Sequence, residues 1–157
     1  MIFLETKDEI QYYVLEVKEL PKIKSLWENS GQYHAKLSKH FSTLFTSLSF
    51  EKRMKHFLTM NELYISLAIS QSKEIGYCIS TCQNGSGEIL SFFVEENYRN
   101  RGIGSCLIEN HLLGLEKNAS SISVDVLYEN ENTIRFYEKC GFKPFTIKML
   151  FTAERKK

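Results

Sequence analysis

Proline is scarce in this chain: Pro21 and Pro144 are the only two among 157 residues. No Pro/Gly/Ser-rich linker, internal repeat or low-complexity tract divides it, so a single domain over residues 1–157 is expected. That length can bury a sizeable core. Long apolar runs are missing too, so no membrane partner is expected. Met1-Ile2-Phe3-Leu4 is followed at once by Glu5, Lys7, Asp8 and Glu9, which leaves no apolar stretch for an export signal. The four cysteines, Cys78, Cys82, Cys106 and Cys140, form no C-x-x-C pair. Without an export signal they read as reduced thiols in or near the core, and a cytoplasmic location is expected. Charge of one sign is lacking as well. The formal net charge is +1, not the basic stripe of a general nucleic-acid binder. The one basic end, Glu154-Arg155-Lys156-Lys157, reads as a solvated tail. Histidines are few and badly spaced for a metal. His34 and His40 do not align on a helix, and no H-x-x-x-H pair exists. His111 falls on the apolar face of its helix and reads as a core residue.

What is present is an α+β pattern. Ile10 to Val17 reads as a first strand. A helix starts at Leu20-Pro21 and carries apolar residues to Leu44, with Gly31 as a point of interruption. Phe50, Met54, Phe57 and Leu58 predict a short second helix. Leu63–Ser70 and Ile75–Cys82 read as a hairpin joined by Gln71-Ser72-Lys73-Glu74. Asn84-Gly85-Ser86-Gly87 is a second turn, and Glu88–Val94 the next strand. A helix over Ile103–Leu115, a strand over Ile122–Leu127 and a helix over Asn130–Cys140 follow. Gly141 and Pro144 stop that helix, and Phe142–Phe151 reads as a last strand or two.

The most telling stretch is Arg99-Asn100-Arg101-Gly102-Ile103-Gly104, between a strand and a helix. The first N–H groups of a helix have no internal partner, and the helix dipole adds positive potential there. Glycines would let a pyrophosphate approach the backbone, and Arg99 and Arg101 would add charge. The P-loop is excluded because no lysine follows either glycine. The dinucleotide fingerprint is incomplete because Leu107 stands where its third glycine belongs.

A second motif gives this phosphate site a context. R-x-x-G-x-G after Phe92-Phe93-Val94, then a strand, then Asn130-Glu131-Asn132-Thr133-Ile134-Arg135-Phe136-Tyr137-Glu138-Lys139-Cys140-Gly141-Phe142, closely resembles the GNAT superfamily of acetyl-CoA-dependent N-acetyltransferases. Thr133 stands where that family usually has alanine. The resemblance covers residues 63 to 145 well. It implies a mixed, mostly antiparallel sheet with helices on both faces. It implies acetyl-CoA as cosubstrate, its pyrophosphate held by the amides of Arg101, Gly102, Ile103, Gly104 and Ser105 beside Arg99 and Asn100. The pantetheine arm would lie along Phe92, Phe93 and Val94, with a main-chain N–H near Phe93 and Val94 for the oxyanion. Asn130 would cap its helix and touch the cofactor. Tyr137 would protonate the leaving thiolate. With ordinary values of about 10 for the phenol and about 8.5 for the thiol, that transfer is uphill by about 2 kcal/mol.

An amine acceptor arrives as an ammonium and must lose a proton before it attacks. Glu88, Asp125 or an ordered water could take it. His34 and Tyr33 lie where this family shapes its acceptor pocket. Cys106 and Cys140 lack a base partner, and direct transfer needs no cysteine nucleophile. The expected activity is therefore acetyl transfer to a primary amine of a small molecule or peptide, with a homodimer allowed by family precedent. The rivals are a non-catalytic acyl-CoA-binding module on the same fold and a nucleotide-binding protein of Rossmann type.

Overall fold

The computed structural model describes residues 1–153. The basic tail singled out above, residues 154–157, lies outside the described residues. Six strands form one sheet in simple chain order: β1 (Ile2–Lys7), β2 (Ile10–Val14), β3 (Leu63–Ser70), β4 (Lys73–Gln83), β5 (Ser86–Val94) and β6 (Ser121–Val124). Neighbours from β1 to β5 run antiparallel, and only β5 and β6 are parallel. The helices are α1 (Lys24–Leu37), α2 (Ser42–Thr46), α3 (Phe50–Phe57), α4 (Ile103–Leu115) and α5 (Glu131–Lys139). The fold is thus α+β with a mixed, mostly antiparallel sheet.

Two cores sit on the two faces of the sheet. On one face, Ile103, Leu107 and Ile108 of α4 and Tyr137 of α5 pack on Ile75, Cys78, Ile89 and Val94. On the other, Leu26 of α1 and Phe50, Met54 and Phe57 of α3 pack on Ile65, Leu67, Tyr77, Ile79 and Phe93. Each strand serves both cores because successive side chains alternate. The helix boundaries follow local chemistry. The Ser49 side chain accepts from the Lys52 N–H at 3.2 Å and starts α3, and the Asn130 side chain accepts from the Thr133 N–H at 3.3 Å and starts α5.

Four local expectations change. The first strand is preceded by another, β1, joined by a tight turn at Asp8 and Glu9 with φ 48° and 66°. Gly31 does not break α1, which runs on to Leu37; its missing side chain instead lets the Phe45 carbonyl of α2 pack close, since a Cβ there would come within 2.8 Å of that oxygen. The β3–β4 connection narrows to Gln71-Ser72. Finally, Phe142–Phe151 forms no strand.

Candidate active site

β5 and β6 part company halfway. Ser86 to Ile89 pair with Ser121 to Val124, and there the pairing stops. β5 continues alone on that side to Val94, held only by β4. A gap therefore opens in the sheet beside Leu90–Val94. The ladder decides which backbone groups face it. The Glu95 N–H donates to the Ile75 carbonyl at 2.8 Å, and Phe93 is paired with Tyr77. Antiparallel alternation then turns the N–H of Phe93 toward β4, and those of Phe92 and Val94 toward the gap. Of the main-chain N–H groups expected near Phe93 and Val94, that of Phe93 is turned to β4, and the outward amides are those of Phe92 and Val94. The Val94 carbonyl is already taken by Arg99 Nε at 2.8 Å.

A β-bulge falls in the same strand. Ile79 pairs with Ser91 but Ser80 pairs with Ile89, so Leu90 is an extra residue. As a result Glu88, Leu90, Ser91 and Phe93 share the face covered by α1 and α3, while Ile89, Phe92 and Val94 share the other. Glu88 is exposed, opposite Thr81 and Ser123, and lines a cavity of about 370 Å³ with Met60 and Gln83. Asp125 follows directly on the end of β6 and is exposed.

The helix after the gap starts bare. Gly102 precedes α4 at φ 77°, a left-handed conformation that favours glycine, and supplies no side-chain cap. The first intrahelical bond runs from the Cys106 N–H to the Gly102 carbonyl. The N–H groups of Ile103, Gly104 and Ser105 therefore have no partner within the helix. Nothing acidic lies in this first turn. Asn100 also has positive φ, 59°. Gly104 has a different reason to be glycine: a Cβ there would meet Phe92 Cζ at 3.1 Å and Phe136 at 3.3 Å. Those two rings stack with centroids 5.4 Å apart and planes 7° from parallel. Gly104 thus lets α4 sit down on the aromatic pair that joins β5 to α5.

The two arginines divide. The Arg99 guanidinium lies over the Tyr33 ring at 4.4 Å and the Phe93 ring at 5.2 Å, on the α1 face. It braces the end of β5 and does not turn its charge to the helix start. Arg101 is exposed and lies 5.5 Å over the Tyr98 ring.

Tyr137 sits on the α4–α5 face. Its ring contacts Phe136, Phe142 and Phe92 edge-on, with centroids at 5.2, 5.3 and 6.0 Å. Burial pushes its phenol well above the usual range, with Cys78, Cys140 and Tyr77 adding to the rise. Its hydroxyl makes no side-chain hydrogen bond among the described residues. Yet no fully enclosed side-chain oxygen or nitrogen among them lacks a partner. The hydroxyl therefore reaches open space, although the residue is only 4% exposed. Asn130, also buried, stands at the start of the same helix.

On the α1 face His34 stacks on Phe45 at 5.5 Å. Its Nδ1 lies 2.7 Å from the Ser30 carbonyl, which can only accept, so Nδ1 carries the proton and Nε2 keeps its lone pair. Burial lowers the His34 pKa, and nearby Arg99 lowers it further against the pull of the Ser30 carbonyl. Tyr77, fully buried, shares a 2.7 Å hydrogen bond with Ser91 beside the bulge. Neither residue was marked out by the sequence, because a buried tyrosine–serine pair leaves no motif. Two of the buried cysteines are held as thiols: burial pushes Cys106 up to about 11, with Glu5 adding to it, and Cys78 is raised well above its ordinary range by burial alone.

His111 is a structural residue. It is fully buried, with Nδ1 2.6 Å from Ser80 Oγ and Nε2 2.8 Å from Ser66 Oγ. Burial lowers its pKa to about 3.

Solved structures share this fold. An aminoglycoside acetyltransferase from an uncultured soil metagenomic sample, in complex with trehalose, superimposes with a TM-score of 0.67 at 19% identity, covering 96% of this chain and 100% of that one. A PaiA N-acetyltransferase from Thermoplasma acidophilum in complex with coenzyme A gives 0.69 at 20% identity, covering 85% and 89%. A ribosomal-protein-alanine N-acetyltransferase from Brucella melitensis biovar Abortus 2308 gives 0.63 at 14% identity, covering 92% and 99%. The family model for the acetyltransferase (GNAT) domain matches residues 61–144, which hold the hairpin, the gap, the bare helix start and the tyrosine helix. With more than half of its length matched, this chain belongs to the GNAT acetyltransferase family and is an acyltransferase.

Proposed function

We propose that this chain, residues 1–157 acting as one domain, transfers an acetyl group from acetyl-CoA to a primary amine by direct attack in a ternary complex. The observation that carries the reading is the gap beside Leu90–Val94, which has outward amides along one edge and a bare helix start at its end. The free amides of Ile103, Gly104 and Ser105, with Arg101, Gly102 and Asn100 around them, suit the pyrophosphate of coenzyme A. The Phe92 and Val94 amides suit the pantetheine arm and the thioester carbonyl, and an N–H aimed at that oxygen would stabilise the tetrahedral oxyanion. Phe93 and Arg99 support this edge from the α1 face, and Asn130 borders it from the start of α5.

The chemistry then divides across the sheet. The amine approaches from the α1–α3 face, where Tyr33, His34 and Glu88 lie. Its nitrogen bonds to the acetyl carbon, the C–S bond breaks, and the thiolate leaves toward the α5 side. Tyr137 supplies the proton to the sulfur, and the second proton, which the nitrogen sheds as the amide forms, returns through water to the tyrosinate. The ammonium proton leaves through water toward Glu88, which stands three ladder steps, about 10 Å, from Phe92, too far for direct contact. The acceptor is a small-molecule or peptide amine. The neighbouring folds named above include enzymes for aminoglycosides and for a ribosomal-protein alanine. The free, buried thiols of Cys78, Cys82 and Cys106 suit a reducing, cytoplasmic setting.

The test is thiol release from acetyl-CoA with a panel of amines, together with thermal unfolding in coenzyme A and in NAD. Turnover on at least one amine and a rise in melting temperature with coenzyme A alone are expected. Protection by NAD and not by coenzyme A would overturn the reading. Tight binding of acetyl-CoA without turnover on any amine would favour a binding module instead.

A further inference from the structure

A half-buried cation without an anion stands at the end of β5. Arg99 commits Nε to the Val94 carbonyl and lays its guanidinium over the Tyr33 and Phe93 rings. Its two terminal nitrogens make no hydrogen bond among the described residues, and none of the ion pairs there includes it. Glu95, next to Val94, instead accepts from Asn29 Nδ2 at 2.8 Å. His34 meets the same Tyr33 ring edge-on, with centroids 5.6 Å apart. Its Nδ1 is committed to Ser30, and its Nε2 makes no hydrogen bond among the described residues. No enclosed side-chain nitrogen or oxygen among them lacks a partner. The ends of the Arg99 fork and His34 Nε2 therefore both open to solvent around Tyr33, on the face from which the amine approaches.

We propose that the acceptor carries a carboxylate a few bonds from its amino group, as a free amino acid does, and that Arg99 selects it. This rests on the acetyl-transfer reading above. A guanidinium presents two parallel N–H bonds in a plane, which matches a carboxylate, and its seat against two rings keeps water from one side of the pair. The seat also sets the spacing. Arg99 Nε touches the carbonyl of Val94, the residue whose amide faces the thioester, so an anion on the fork lies close to the attacking nitrogen. His34 Nε2 offers a lone pair to an N–H or O–H elsewhere on the same acceptor. The carboxylate takes no part in the bond changes. The nitrogen joins the acetyl carbon, the thiolate leaves, and the product is an N-acetyl amino acid with its acid group intact.

Polycationic acceptors fit this corner poorly. Each further ammonium group would approach an unpaired guanidinium and a histidine whose charged form is disfavoured by burial and by Arg99. Like charges set side by side at a binding surface are costly and exclude wrong partners.

Initial-rate kinetics on matched pairs test this, each pair an amino acid and its own carboxamide, with a linear polyamine and an aminoglycoside alongside. The acid of an accepted pair is expected to have a kcat/KM about tenfold or more above that of its amide, mostly through KM, as for a hydrogen-bonded charge. The amide is the more easily deprotonated amine, since it lacks the carboxylate that holds the ammonium proton, so amine reactivity alone would favour the amide. R99Q is expected to bring the ratio near unity, and R99K to keep part of it. The ratio is taken within one protein, so general damage from losing the Val94 contact cancels. Equal kcat/KM for acid and amide in the native chain would overturn the proposal and leave acetyl transfer standing. So would a ratio unchanged in R99Q, or faster turnover of the polyamine or the aminoglycoside than of every amino acid. Binding of coenzyme A with no turnover on any amine would instead remove acetyl transfer and this selection together.

Discussion

A phenol surrounded by Phe92, Phe136 and Phe142 is a poor acid until a base appears beside it. Burial raises the Tyr137 phenol well above its usual range, so in the proposed reaction it would act as a neutral donor. Y137F keeps the packing and removes only the proton. It is expected to lower kcat by about 100-fold with little change in the KM for acetyl-CoA, as a lost general acid does. Equal losses in kcat and in acetyl-CoA binding would point to a packing role instead. His111 makes a stability prediction of a different kind. Its folded pKa, about 3, lies below the ordinary value of about 6.5, so the unfolded chain binds the proton more readily. Stability is therefore complete above about pH 6.5 and falls as pH drops toward 3, by up to about 1.4 kcal/mol per pH unit for this group. His34, also lowered, acts in the same direction. Denaturant unfolding between pH 7 and pH 4.5 measures the slope. H111L should flatten it, while losing about 2 kcal/mol at pH 7 because Ser66 and Ser80 are left without a partner. Not every residue was legible in advance. That Gly102 needs a positive φ fits its place before a helix. That Gly104 makes room for Phe92 and Phe136 could not be read from sequence, because the contact joins three separate elements.

Among elements, α4 is the one whose geometry most directly serves binding. Ser105 is the third residue of α4, where the N–H is unused within the helix, so a proline there removes no helical hydrogen bond. S105P should raise the KM for acetyl-CoA about tenfold, leave kcat near its native value and keep the helical circular dichroism unchanged. A native KM in this variant would remove the Ser105 amide from the pyrophosphate site. The same helix was legible from its apolar spacing and the glycine before it. So were β3, β4, β5 and α5, each with strong periodicity or turn residues at its ends. β1 was not, because its turn uses Asp8 and Glu9 at positive φ and carries no glycine to announce itself. The arginine pair also misled at this scale. Both residues read as phosphate ligands, but Arg99 is drawn to the Val94 carbonyl and the Tyr33 and Phe93 rings. A side chain's direction depends on what the neighbouring helix offers, and α1 is far away in sequence.

At the scale of the whole molecule, the sheet is a partition. Glu88 lies on the α1–α3 side and Tyr137 on the α4–α5 side, and the gap between β5 and β6 joins the two. In the proposed reaction this keeps proton removal and proton delivery apart. If Glu88 drains the ammonium proton, E88Q should lose about 100-fold in kcat/KM near neutral pH. The loss should shrink as pH rises toward the pKa of the amine, where the acceptor arrives already deprotonated. A loss that stays constant with pH would assign Glu88 to structure. The partition was only half legible: the motifs pointed to Tyr137 and to the start of α4, while the α1–α3 side carries no motif because its residues come from α1 and β5 together.

Leu90 is a residue added in mid-strand. It and Ser91 stand side by side on the face of α1 and α3, against a single step of β4 from Ser80 to Ile79. Glu88 and Phe92, four apart in sequence, therefore fall on opposite sides of the sheet. Deleting Leu90 would make Ile89 opposite Ser80 and Ser91 opposite Ile79 consecutive steps, so Phe92, Phe93 and the outward amides would keep their present sides. One residue of no chemical distinction is thus a silent insertion: it thickens one face of the strand and leaves both proposed ends of the reaction where an unbroken ladder would put them.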